Sequence, residues 1–327
     1  MAQSAPRTFY VSDPIHPEVL GELSRMGHVH LGFGDSAVDY RDVAAEVDAV
    51  LLRAENFDRA KIEMSPKLRI IARHGVGTDN VDIDAATASG VWVTTAPGSN
   101  SRAVAEHVFA LLLSLARRVP FAAASTAAGH WTEAKPELVG FELHGRTLGL
   151  VGFGSISRMV TGIARGFGMQ VIVHDPFVDD AQVQALAAES ATLSEVLTRA
   201  DVISLHLPLT SGTAHLIDSD ALAAVKPGSV LINTSRGGVV DERALVEALR
   251  QGRLAAAALD VIEGESVDMR NPLAHSPIDH SEVPNLIVTP HVAGQTAEAF
   301  KAAGVQALAA IREALKGQRP AAAINNA

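Results

Sequence analysis

Short runs of β-branched and aliphatic residues recur along the chain, separated by longer Ala-rich stretches. The runs Thr8–Val11, Ala49–Leu52, Leu68–Ala72, Val91–Thr94, Leu148–Val151, Val171–His174, Val202–Leu205, Val230–Asn233, Ala256–Asp260 and Leu286–Val288 predict strands. Helices are expected between most of them, and this alternation predicts an α/β fold with mainly parallel sheets. Ser101–Arg118 gives the clearest helical signal. Ser101 is placed to cap it, and Glu106 falls in an early turn, where a carboxylate suits the helix dipole. Its apolar positions nearly encircle the axis, which predicts burial along much of its length. A second helical stretch, Phe121–Ala128, follows Pro120, and the segment from Gly140 to Gly145 marks a break before a fresh strand. The last helix, Ala297–Lys316, is expected to return to the first domain, and the tail Pro320–Ala327 is expected to be loose. No internal repeat stands out.

Length and composition narrow this picture. A chain of 327 residues predicts two domains, each able to bury its own core. Apolar residues make up 47% and charged residues 20%, the balance of a soluble globular protein. With no cysteine, a disulfide framework and thiolate chemistry are excluded, and a reducing compartment fits. A net charge of −10 argues against a nucleic-acid partner, which wants a basic face. Val108–Ala116, interrupted by Ser114, falls short of the ~20 residues of a membrane span. Met1–Pro6 lacks the basic start of a secretory signal. The expectation is a soluble cytoplasmic protein with no membrane partner.

The first chemical motif lies in Thr147–Asp175. Gly152 and Gly154 follow an apolar strand and open a helix, and Asp175 ends the next strand. One glycine permits a tight turn and the other lets backbone approach a pyrophosphate. The helix N-terminus offers N–H groups to phosphates, and the terminal acid takes ribose hydroxyls. Ser157 stands where a third glycine is usual, a position that governs helix–strand packing and that serine is small enough to serve. Asp175 would repel a 2′-phosphate, which favours NAD over NADP. The plainer reading is a βα turn with no ligand.

Three further segments carry candidate chemistry. In Arg73–Asp82, glycines at 75 and 77 are able to aim backbone N–H groups at a carboxylate, though a strand-to-helix turn has the same composition. In Asn233–Asp241, Arg236 lies between small residues and two glycines, and its forked donors suit a carboxylate. Alone it reads as a surface ion pair. Leu259–Glu265 supplies carboxylates, and Thr289–Gly294 places His291 after a strand and a proline, the position of an acid/base whose tautomer a carboxylate would hold. One histidine among 13 is more often structural.

In this order around the glycine motif, the segments resemble the D-isomer-specific 2-hydroxyacid dehydrogenase family, in its 3-phosphoglycerate dehydrogenase-like branch, from about Ala49 to Thr296. The chain ends soon after its last helix, as a short form without a regulatory extension would. The resemblance implies two Rossmann-like doubly wound parallel-sheet domains. The substrate domain, 1–100 plus 295–327, would be discontinuous around an NAD-binding domain, 101–294. It implies hydride transfer between NAD and C2 of a small D-2-hydroxy acid or 2-oxo acid, either 3-phosphoglycerate-like or hydroxypyruvate- or glyoxylate-like. Arg236 would bind and polarise the 2-oxo acid, His291 would exchange the proton at the substrate oxygen, and Glu265 would pair with His291. Backbone at Val76 and Gly77 would receive the substrate carboxylate. Asp260 would sit near the nicotinamide amide. Gly152, Gly154, Ser155, Ile156, Asp175, Leu207, Pro208, Thr234 and Ser235 would line the NAD site. A homodimer, packed through the long helix and the arm around Trp131, is implied as well. The same fold also serves NADH-sensing corepressors, the alternative reading.

Arg53 and Arg73 follow strands, and either is placed to face a second anionic group if it is not a surface arginine. His107, early in a buried helix, reads as structural. Two features depart from the family pattern. Ser266 stands where proline is usual, and a longer linker, Val267–Val283, precedes Pro284. The linker carries His275 and His280, but no third ligand at suitable spacing, so no metal is expected.

Overall fold

The computed structural model describes residues 6–268, 271–280, 283 and 285–327. The N-terminal stretch Met1–Ala5, the side chain of Ser266 and Pro284 lie outside that description. The chain divides into two units, Met1–Asn100 with Gln295–Ala327, and Ser101–Gly294.

The first unit opens with β1 (Arg7–Val11), α1 (Pro17–Met26), β2 (Gly27–Leu31), α2 (Tyr40–Val43), β3 (Ala49–Leu52), α3 (Arg59–Glu63), β4 (Ile70–Arg73), α4 (Ile83–Ala88) and β5 (Trp92–Thr94). The second contains α5 (Ser101–Ala116), α6 (Val119–Ala127), β6 (Thr147–Val151), α7 (Ser155–Gly166), β7 (Gln170–His174), α8 (Asp180–Gln184), β8 (Glu189–Ser190) and α9 (Leu193–Arg199). It continues through β9 (Val202–Leu205), α10 (Ser219–Ala224), β10 (Ser229–Asn233), α11 (Glu242–Arg250), β11 (Leu254–Leu259) and β12 (Leu286–Val288). The last helix, α12 (Ala297–Leu315), belongs to the first unit.

Both sheets are parallel, with order β2-β1-β3-β4-β5 in the first unit and β12-β11-β10-β9-β6-β7-β8 in the second. Each order reverses direction once, at β1 and at β6. Such a switch point leaves a crevice beyond the carboxyl ends of two adjacent strands, where ligands of open α/β sheets bind.

Parallel strands need cover on both faces, and successive side chains supply it. In β1, Phe9 and Val11 join the core under α12, with Leu308 and Ile311, while Tyr10 joins Tyr40 and Phe57 on the other face. Fully burying a residue such as Ile311 contributes roughly 2 kcal/mol. Gly304 brings α12 against α1, since a Cβ there would lie 2.7 Å from Val19 Cγ2. In β6, Leu148 and Leu150 face Val108 and Leu112 of α5, and Val151 faces the α9 and α11 side with Val196 and Leu245.

Several local expectations are corrected. Two edge strands escape the apolar-run criterion, because β2 (GHVHL) alternates histidine with apolar residues and β8 has only two residues. Ser101 lies inside α5 rather than capping it, and its hydroxyl pairs with Ser155 Oγ at 2.9 Å. Glu106 is beyond the first turn. The tail is held: Ala323 bridges Thr94, Ile324 N donates to Val93 O, and Asn325 Oδ1 accepts from Val93 N at 2.8 Å. An edge strand with unpaired backbone groups accepts such a partner readily.

Candidate functional site

At the β6 switch point the backbone turns at Gly152 with φ +93, and a Cβ there would lie 2.4 Å from His206 O, so only glycine fits. Gly154 caps α7 and no side chain does so. The N–H groups of the first turn therefore face outward, as an anion site needs. Ser157, fully buried, donates its hydroxyl to Gly152 O at 2.7 Å and latches the helix to the turn. Ile156 packs against the α5 side of the core.

Asp175 follows β7, with Oδ2 accepting from Phe153 N at 2.7 Å and Oδ1 from Phe177 N at 2.9 Å. Its carboxylate is thereby aimed, while each oxygen keeps a second lone pair for a ribose hydroxyl. Leu207 and Pro208 follow β9, across the switch point; Pro208 O accepts from Thr213 Oγ1 at 2.6 Å. His206, beside them, pairs with Ser204 Oγ at 3.0 Å, and burial pushes its imidazole down to about 4. After β10, Ser235 donates from Oγ and N to Asn233 Oδ1, whereas buried Thr234 Oγ1 has no hydrogen-bond partner among the described residues. The glycine cradle, the uncapped helix, the aimed carboxylate and this orphan hydroxyl fit a dinucleotide.

Arg236 stands where the same loop turns. Asn233 Nδ2 donates to Arg236 O at 2.9 Å, and Arg236 Nη1 donates to Ser235 O at 2.8 Å. A Cβ on Gly237 would lie 2.0 Å from Ile262 C, so this glycine lets the arginine loop press on the segment leading to Glu265. Glu265 Oε1 accepts from Ile262 N at 3.2 Å, and Oε2 lies 2.6 Å from His291 Nδ1. The carboxylate is nearly buried at 14% side-chain exposure, and the imidazole is open at 42%. His291 has φ +53, an uncommon conformation for a non-glycine residue, and its N–H donates to Asp260 O and Thr289 O.

Asp260 is 1% exposed and holds that conformation. Its Oδ1 accepts from Thr289 Oγ1 at 2.5 Å and Val292 N at 2.9 Å, and Oδ2 accepts from Ala293 N at 2.8 Å. His107 Nε2 lies 3.3 Å from Thr289 Oγ1 and 3.5 Å from Asp260 Oδ1. Burial would raise this carboxyl, but the bonds from His107, Thr289, Ala293 and Val292 prevail and hold it below its usual range. Asp260, expected beside the nicotinamide amide, is thus engaged by the loop that carries His291. His107, expected to be structural, backs the same loop. Neither Thr289 nor His107 carries a sequence signal for this, because the partners are far apart in the chain.

In the first unit, Arg53 follows β3 at the β1 switch point. Its N–H donates to Ser12 Oγ at 2.9 Å, Ala54 N donates to Asp13 Oδ2 at 2.9 Å, and its guanidinium lies over the Phe300 ring at 4.8 Å. Arg73, expected as an anion ligand, is 8% exposed, and its guanidinium donates to the carbonyls of Gly77, Leu52 and Arg53. It braces the loop and is not a surface cation. Val76 is exposed at the loop tip, and Gly77 O accepts the Arg73 Nε bond at 2.8 Å. Among the described residues no group of three or more His, Cys, Asp or Glu is gathered for a metal, and no single helix is long and apolar enough to cross a membrane.

Residues 109–293 match the model of the D-isomer specific 2-hydroxyacid dehydrogenase NAD binding domain. The chain belongs to this family. Residues 109–293 of the second unit are therefore an NAD-binding domain. The chain is similar to D-3-phosphoglycerate dehydrogenase of Mycobacterium leprae, 44% identical over 96% of this chain and 58% of that protein. It is also similar to (S)-sulfolactate dehydrogenase of Chromohalobacter salexigens, 45% identical over 78% of this chain and 80% of that one. Among solved structures, D-lactate dehydrogenase from Aquifex aeolicus, complexed with NAD and lactic acid, superposes with a TM-score of 0.82 at 26% identity, covering 95% of this chain and 96% of that one. The chain spans little more than half the length of the phosphoglycerate dehydrogenases it matches.

Proposed function

We propose that this protein is an NAD-dependent oxidoreductase interconverting a small D-2-hydroxy acid and its 2-oxo acid. The observation that carries this reading is the His291–Glu265 pair at 2.6 Å, on a loop bent into the left-handed region. The chemistry supplied by bound NAD would be that of a hydride acceptor for C2. The chain's own residues manage the proton and the charges. Glu265 holds the Nδ1 proton of His291, so that Nε2 takes the hydroxyl proton during oxidation and returns it during reduction. Arg236 grips the carboxylate and polarises the oxo group. The balance is hydroxy acid plus NAD giving oxo acid, NADH and one proton.

The substrate proposed carries a second anion. The names of two relatives, phosphoglycerate and sulfolactate, each denote a 2-hydroxy acid with a further anionic group on the adjacent carbon. Their D and S labels describe one spatial arrangement, since sulfur outranks the carboxyl carbon and exchanges two priorities. Arg53, half-buried at a switch point, is the residue proposed for that second anion; Val76 and Gly77 remain candidates for the first. We further propose a homodimer. No residue of α6 is buried, and Val119, Phe121, Trp131 and Val139 are exposed around it, an apolar set that a second copy would cover.

The test is NAD-linked oxidation of D-3-phosphoglycerate, sulfolactate, D-glycerate and D-lactate, with the corresponding oxo acids and NADH in reverse. Turnover is expected with doubly anionic substrates. Arg53→Ala should weaken these at least tenfold while sparing D-lactate. Absence of NAD-linked turnover across the panel would overturn the reading in favour of an NADH-sensing binding protein.

A further inference from the structure

The proton pair is built from two loops, and only one of them is explained by Asp260. The other, Glu263–Ser266, is a short 3-10 turn that follows Ile262 and carries Glu265. Behind it lies Glu242, the first residue of α11 and fully buried at 0% exposure. Nothing in the proton exchange uses Glu242, and a buried carboxylate must be compensated by donors.

Among the described residues, two hydrogen bonds and one close histidine contact reach it, all from the segment on which Glu265 depends. Oε1 accepts from Glu263 N at 2.6 Å, Oε2 accepts from Ser276 Oγ at 3.0 Å, and His280 Nε2 lies 3.4 Å from Oε2. Ser276 and His280 belong to the linker that departs from the family pattern. That linker folds back on the Glu265 turn at a second point. A Cβ on Gly264 would lie 2.0 Å from Pro272 O, so Gly264 allows the 3-10 turn Pro272–His275 to seat directly against it. Glu242 therefore ties helix, catalytic turn and linker together through one side chain. Its neighbour Glu263 meets His215 Nε2 at 2.6 Å, and Asp241 caps the same helix through Ala244 N.

We infer that Glu242 is a positioning residue for the proton exchange: its carboxylate oxygens anchor the Glu263 amide and the 276–280 linker, and so set Glu265 against His291. The inference rests on the reading that His291 and Glu265 exchange the substrate proton. Its basis is geometric, because what matters is the reach of two acceptor positions and not the charge. Glutamine has the same reach, with a carbonyl oxygen for the Glu263 amide and an NH2 group beside Ser276 Oγ and the His280 ring. Aspartate keeps the charge but retreats by roughly one carbon–carbon bond.

The expected order of kcat is therefore wild type and Glu242→Gln together, with Glu242→Asp and Glu242→Ala lower by about 10–100-fold, the range for ångström-scale misplacement of a reacting group. KM should change little. A second readout does not need turnover: in protein labelled with 15N-histidine, the Nδ1 proton held at 2.6 Å by Glu265 should give a far-downfield resonance. That resonance should persist in E242Q, move upfield or vanish in E242D and E242A, and vanish in Glu265→Gln. If the wild type itself lacks both turnover and the resonance, the proton-pair reading fails. If the wild type has them and E242D, which keeps an acid at the helix start and is expected to fold, retains both, the role of Glu242 is overturned. The reverse order, with Asp active and Gln impaired, would assign Glu242 an electrostatic role instead and would overturn the geometric one.

Discussion

Two buried carboxylates stand behind the same histidine–glutamate pair, and their surroundings differ. Asp260 gathers a hydroxyl and two backbone N–H groups from the loop it holds, with His107 alongside, and its carboxyl is held below the usual range despite burial. Glu242 also receives donors, but it lies beside a second carboxylate. Glu263 is pushed up, first by burial and then by the charge of Glu242, with His215 only partly offsetting both. Burial alone decides neither case. The balance between donors and like charges sets the sign, so one clamp favours ionisation and the other taxes it in its neighbour.

The largest effect tests whether the two clamps serve a common purpose. His291→Ala is expected to lower turnover about 10²–10⁴-fold, the range for a lost general acid/base, with NAD binding retained because Gly152 and Asp175 lie on other loops. Steady-state kinetics with a separate NADH titration checks this; near-normal turnover would leave both clamps without a common target.

The contrast between the clamps predicts opposite responses to neutralisation. Asp260→Asn replaces an acceptor-only group by one whose NH2 faces donors, and should cost about 3–5 kcal/mol at neutral pH. Asp260 has a depressed carboxyl, so its contribution is present above the unfolded value and lost as pH falls through the folded one. Glu263 has a raised carboxyl, so its ionisation opposes folding as pH rises through the folded value. Glu263→Gln should therefore be neutral or stabilising at pH 7–8. Urea titrations of both variants measure the difference, and equal destabilisation would erase the distinction drawn here.

His206 offers a third, cationic case of burial without a counter-charge. Its folded value of about 4 lies below the ordinary ~6.5, so the unfolded chain takes up the proton first. Stability should fall by about 2–3 kcal/mol between pH 6.5 and 4, and His206→Gln should flatten that slope. An unchanged slope would show that water reaches the ring.

The smallest effect concerns Asp175, a carboxylate aimed by two backbone N–H groups and proposed to meet the ribose hydroxyls of NAD. A 2′-phosphate there would meet a negative charge, so NADH should exceed NADPH in kcat/KM by about 10- to 100-fold. Parity between the two coenzymes would mean that Asp175 does not face the ribose.

Most strands were readable from apolar runs, and the glycine turn from its spacing, because those signals come from residues adjacent in the chain. The edge strand β2 was not, since its histidines break the run, and the tail was not, since Asn325 acts through partners at Thr87, Val91 and Val93. Arg73 shows the same limit at the candidate site. An arginine after a strand invites an anion, yet the folded loop turns the guanidinium onto carbonyls of Leu52, Arg53 and Gly77.

Local pattern was sufficient for the strand–helix alternation, for the Gly152 turn with Asp175, and for the segments that carry Arg236, Glu265 and His291, whose roles came from the family resemblance. These features need only a residue type at a short spacing. Folding was required to show what holds them. Glu242 reaches Ser276 across 34 positions, and Asp260 reaches Ala293 across 33. A buried carboxylate takes its character from donors that arrive through space from separate loops, and no spacing along the chain encodes which loops those are.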